Sequence, residues 1–227
     1  YGFLSPRFEA KTGITAQELR FAISNSAANC EAILCPVGWD QLAYFANPFE
    51  QGEMWHGGLM DLTQQFLQHL TIPLDLRSLV TYSKTSVFSN YVIAKPRYWR
   101  AWLGLADAFF DYVERGASAE AIRQTTNYGS VLHQTPMKVF IQERLASLVL
   151  SQGGFGAEVV RCQEPWPVYD RLFVSHTLDG TPVHQVLQTC DWLKMRYVHT
   201  GDDTYLQTYR KARASIRFKL PLASNPI

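Results

Sequence analysis

Apolar residues recur at three and four positions most clearly after Pro96. Tyr98, Trp99, Trp102, Leu105, Ala106, Phe109, Phe110 and Val113 share one side, with Arg100, Asp107, Asp111 and Glu114 opposite. This pattern predicts an amphipathic helix whose aromatic stripe faces a core. Thr15-Ala16-Gln17-Glu18 reads as a capping box opening a helix that ends near Ser26. Cys30 to Val37 is apolar enough for an interior strand, stopped by Pro36 and Gly38. A short helical or irregular aromatic stretch follows from Gln41 to Phe49, then a longer helix from Met54 to Leu70 with Leu59, Leu62, Phe66 and Leu70 at helical spacing. Asp75 to Val80 reads as a short edge strand, Val87 to Ala94 as a better one, and Ala157 to Cys162 as a late strand. Helices near Val183 to Val198 and Asp202 to Ile216 close the chain.

One segment places a charge where apolar residues dominate. Pro136 to Gln152 reads as a single helix, with Thr135 as its cap, Pro136 at the first helical position and Gly153-Gly154 at its end. Its apolar residues cover nearly every side, so the helix is expected to be buried. Glu143 shares a stripe with Val139, Phe140, Ala146 and Leu150. A carboxylate there must be paired, neutralised or used, because burying it alone costs several kcal/mol or more. A structural ion pair and a catalytic site are both consistent with Glu143-Arg144.

Composition narrows the class. Of 227 residues, 47% are hydrophobic and 13% aromatic, enough for a sizeable core as one large domain or two small ones. The net charge is +1 and the 21 basic residues form no run, which argues against nucleic-acid binding. Cys30, Cys35, Cys162 and Cys190 make no C-x-x-C pair and read as reduced core thiols. No apolar run approaches the roughly 20 residues of a membrane helix and no leader opens the chain, so a cytoplasmic protein is expected. The apolar start Y-G-F-L-S reads as a first strand running into a turn at Ser5-Pro6 and implies a missing upstream segment. Tyr205, Tyr209, Arg210 and Arg213 on the last helix read as an exposed, solvated face, with peripheral contact to a partner or an anionic membrane surface as the alternative.

The order of S-N-Y-V-I-A at Ser89 to Ala94, K-P-R-Y-W leading into the aromatic helix, and F-I-Q-E-R-L at Phe140 to Leu145 resembles a known family. It is similar to the C-terminal half of bacterial surface-polysaccharide glycosyltransferases of the GT-A type, which make O-antigen, capsule or exopolysaccharide. The opening Y-G-F-L-S-P-R-F-E-A-K-T-G and N-P-F-E-Q-G-E-M-W-H-G-G-L at Asn47 to Leu59 extend the likeness over roughly residues 1 to 150. The resemblance implies an α/β fold: a GT-A-like, Rossmann-like mixed sheet flanked by helices in one domain over 1–227, with a mainly helical extension from 157 to 227. It implies transfer of a sugar from a nucleotide-sugar donor to a glycan or lipid-linked acceptor. Ser5 and Lys11 after the first strand, and Pro36 to Asp40 after the second, would lie at carboxyl ends of strands, where open α/β sheets bind ligands.

Under the same resemblance Asn90 and Lys95 flank the sugar, and Arg144 meets phosphate or another acid. Glu143 is the carboxylate nearest the reacting centre, with Asp40 the other candidate base and otherwise a helix cap. Inverting transfer needs such a base, and positive charge to hold the departing diphosphate. Glu53 and His56 join the donor-binding set. Standing three apart, they lack the second histidine of a zinc-binding H-E-x-x-H helix, so a cap and a polar contact is the plainer account. No D-x-D occurs in the chain, which leaves Mn or Mg dependence open. The competing reading is a non-catalytic glycan-binding or scaffold module with a degenerate transferase fold.

Overall fold

The computed structural model describes residues 1–2, 4–88, 91–116, 119–128, 130–152, 154–160, 177–178 and 181–216. In order these form α1 (Phe8–Thr12), α2 (Ala16–Asn25), β1 (Ala32–Leu34), α3 (Trp39–Tyr44), α4 (Pro48–Trp55), α5 (Leu59–His69) and a single 3-10 turn (Ser83–Thr85). There follow β2 (Val92–Ala94), α6 (Pro96–Arg115), α7 (Glu120–Arg123), β3 (Thr125–Tyr128), β4 (Ser130–Pro136), α8 (Met137–Gln142) and α9 (Leu145–Ser151). The chain then runs through β5 (Ala157–Val159), β6 (Thr177–Leu178), β7 (Thr181–Pro182), α10 (Val183–Thr200) and α11 (Asp203–Ser215). The fold is mixed α/β, with a small sheet surrounded by helices.

The central sheet has the order β2-β1-β5. β1 is buried along its length, as its continuous apolar run requires. It runs antiparallel to β2, with Leu34 opposite Val92, and parallel to β5, with Leu34 opposite Val159. Gly2 adds an isolated bridge to Ile93 at the outer edge. One core cluster joins Phe49, Phe66, Leu67, Phe109, Tyr112, Phe140, Ile141, Leu145 and Leu148. A second packs Leu34, Val92, Tyr98 and Val149 over the sheet. No helix among the described residues is long and apolar enough to cross a membrane.

Local rules explain two helix starts. Thr15 accepts from Glu18 N at 3.2 Å while Glu18 accepts from Thr15 N at 2.7 Å, completing the capping box of α2. Asp202 caps α11 through Thr204 N at 2.8 Å.

Five expectations require correction. The helix expected over Met54 to Leu70 is two helices, parted at His56-Gly57-Gly58, where Gly58 takes φ 91° and a new N-terminus begins. The helix expected over Pro136 to Gln152 is also two, parted at Glu143-Arg144, and Thr135 lies in β4 instead of capping it. Asp75 to Val80 forms no strand, because side chains satisfy its backbone: Gln64 accepts from Leu76 N at 2.9 Å, and Asn47 donates to Leu76 O at 3.0 Å and Leu79 O at 2.8 Å. Tyr209, expected on a solvated face, is 1% exposed. The aromatic stripe of α6 is divided: Tyr98 and Phe109 are buried, whereas Phe110 is 59% exposed.

Candidate functional site

The break between α8 and α9 is made by the residue that follows it. In an uninterrupted helix Arg144 N would bond Phe140 O; here it bonds Ile141 O at 2.9 Å. The freed Phe140 carbonyl is taken by Arg144's own guanidinium, through Nη1 at 2.7 Å. Nε donates to Pro48 O at 2.8 Å and Nη2 to Gln51 Oε1 at 2.7 Å. Gln51 in turn donates to Gln41 Oε1 at 2.8 Å, so one buried chain of polar groups joins α3, α4 and the α8–α9 break. Gly52 makes room for it, since a Cβ there would stand 2.7 Å from Arg144 Nε.

Glu143 sits at this break, half-buried. Burial raises its pKa above the ordinary carboxylate value, and the charges of Arg144 and Lys11 pull it partly back. Among the described residues no hydrogen-bond donor holds its carboxylate, which leaves it able to give or take a proton. His56, at the end of α4, stacks on Phe140 with ring centres 3.6 Å apart and planes at 16°. Burial, and then the charge of Arg144, push its pKa down to about 4, so it is neutral at neutral pH.

The sheet decides which other expected residues reach this place. Because β2 is antiparallel to β1, the start of β2 lies beside the end of β1: Cys35 N bonds Tyr91 O at 2.9 Å, and Ser5 Oγ shares a hydrogen bond with Tyr91 OH at 2.7 Å. Pro36 follows β1 and is buried. Gly38, at φ 69°, turns the chain into α3, whose first turn holds Asp40 at 5% exposure. Lys11, on α1, is exposed and acts on Glu143 electrostatically. Thus Arg144 acts on both Glu143 and His56, Lys11 acts on Glu143, Asp40 stands on the helix that holds Gln41, and Ser5 and Pro36 lie at the same end of the sheet.

Two expected residues are placed otherwise. Lys95 lies at the opposite end of the sheet, with its amine on Ala28 O at 3.0 Å and its amide on Glu31 O at 2.8 Å. Glu53 caps α5, accepting from Gly58 N at 2.7 Å and Met60 N at 2.8 Å. Asn90 lies outside the described residues. Among those residues no group of three or more His, Cys, Asp and Glu side chains is arranged to hold a metal ion. Sequence reasoning missed Gln41, Gln51 and Gly52. Their signal was weak but present: two amides and a glycine inside aromatic, helix-forming stretches.

Comparison of the chain with protein-family models, with curated proteins and with solved structures gives no match.

Proposed function

We propose that this chain is a glycosyltransferase with a GT-A-like domain, moving a sugar from a nucleotide-sugar donor to a glycan or lipid-linked acceptor of a bacterial surface polysaccharide. The observation that carries the reading is Glu143: a half-buried carboxylate of raised pKa, at the break where F-I-Q-E-R-L resembles the transferase motif, beside two cations. A carboxylate so placed suits removal of the acceptor hydroxyl proton. Lys11 is the cation free to meet a diphosphate, because Arg144 spends three N–H groups on Pro48, Phe140 and Gln51 and adds charge more than contact. Neutral His56 contributes no charge of its own at neutral pH.

The second reading, a glycan-binding or scaffold module, draws on Lys95, whose amine bonds Ala28 O at the opposite end of the sheet, and on Glu53, whose carboxylate caps α5. Thermal shifts with UDP, GDP, dTDP and CMP and their sugars, with and without Mn²⁺, separate the two. The transferase is expected to gain stability with one nucleotide in proportion to its binding. No shift with any of them favours the module. Once a donor is known, Glu143→Gln is expected to lower kcat by about 10²- to 10⁴-fold with an unchanged circular dichroism spectrum. Activity within a few-fold of the parent would make Glu143 structural.

A further inference from the structure

Behind the site, a second set of buried polar groups joins the C-terminal helices to the corner between α3 and α4. Lys194 on α10 is 0% exposed, and its amine donates to Leu42 O and to Phe45 O, the latter at 2.6 Å. Tyr209 on α11 donates to Tyr44 O at 2.7 Å. Arg213 pairs with Glu50 of α4 at 2.8 Å and lies over the rings of Tyr44 and Phe45 at 4.7 and 5.5 Å. Glu50 also accepts from Ala46 N at 2.6 Å. Three side chains of one helical pair therefore hold the end of α3, the corner after it and the first turn of α4.

The same two short helices carry the groups that hold Arg144: Pro48 and Gln51 on α4 accept from it directly, and Gln41 on α3 accepts from Gln51. α3 has six residues, too few to persist without tertiary support, and its last carbonyls need donors. A cation at a helix C-terminus supplies both a donor and a favourable charge. Among the described residues no carboxylate bonds the Lys194 ammonium, although the charges of Asp191 and Glu50 act on it, and burying it on two carbonyls is costly enough to point to a geometric task.

We propose that α10 and α11 form a latch that positions the Glu143–Arg144 site, with Lys194 and Arg213 as its positioning residues. Releasing the α3–α4 corner moves Gln51 and Pro48, and Arg144 follows because they are its acceptors. His56 reports that movement, since it ends α4 and feels both burial and the charge of Arg144.

The test is an NMR titration of His56 in the intact chain, with no ligand added. Lys194→Met and Arg213→Met are expected to raise the His56 midpoint by about one pH unit or more toward the ordinary histidine value. Arg213→Lys, which keeps the charge opposite Glu50, is expected to return most of that shift. An unmoved midpoint in both methionine variants, with the fold retained, overturns the latch. Should Lys194→Met fail to fold, Tyr209→Phe deletes a single hydroxyl and is expected to shift His56 in the same direction by less; no shift there overturns the proposal equally. The inference rests on the reading of this cluster as a site. A moved His56 in a chain that binds no nucleotide keeps the latch and removes the transferase, while an unmoved His56 in a chain that binds one does the reverse.

Discussion

A methyl group at position 52 would meet Arg144 at 2.7 Å from Nε and 2.9 Å from Cζ. On helix propensity alone Gly52→Ala gains up to ~1 kcal/mol. With the guanidinium displaced from its buried acceptors, the variant is instead expected to lose about 1–3 kcal/mol in urea melts. A gain would mean that Arg144 moves at no cost. His56 gives a pH prediction. Its folded pKa of about 4 lies below the ordinary 6.5, so the unfolded chain takes up a proton first as pH falls. The stability it contributes is complete above pH 6.5 and is lost between there and pH 4, up to about 3 kcal/mol in all. His56→Phe keeps a ring over Phe140 and removes the titration, so its urea midpoint is expected to fall less steeply across that window than the parent's. At this scale Glu143 was legible because a carboxylate inside an apolar run has few uses. The Gln41–Gln51–Arg144 chain was not, because hydrogen-bond partners ten and ninety-three residues apart leave no periodic trace.

Elements were legible where their ends carry their own chemistry. The Thr15–Glu18 box and the Asp202 cap lie within four residues of what they satisfy, and both helices start where those residues place them. The two broken helices were not legible, because apolar periodicity continues across each break. At Glu143-Arg144 a side chain competes with the backbone for Phe140 O, and at Gly57-Gly58 the Glu53 carboxylate starts a new helix by claiming its free amides. The end of α5 holds one strained residue: Thr71 takes φ 54°, a conformation that β-branched side chains resist. Thr71→Gly is expected to raise stability by about 0.5–1 kcal/mol in denaturant melts, and a loss would show that its hydroxyl bond to Leu70 O outweighs the strain.

Across the whole molecule, strand positions were nearer the mark than strand directions. The pattern placed an apolar strand before Pro36 and another before Lys95, but nothing local says that they run antiparallel, and that alone separates Lys95 from Asp40. The late helices were legible as helices. Their buried role was not, because Lys194, Tyr209 and Arg213 look in sequence like ordinary surface residues of an amphipathic segment. A chain stopped at residue 182 keeps every candidate site residue. It is expected to show fast amide exchange over residues 39 to 55, and protection there equal to that of the parent would refute the dependence on α10 and α11.

The bond from Lys194 to Phe45 spans 149 residues of chain. At about 5–20 residues per second, a ribosome needs roughly 7 to 30 s to make that stretch. For most of that interval the emerging polypeptide already holds Asp40 and His56, and in its last third Glu143 and Arg144, while the lysine that ties down the α3–α4 corner has yet to be made. Under the proposed latch, the corner that carries the acceptors of Arg144 would therefore be secured late in translation, by a lysine outside the candidate site.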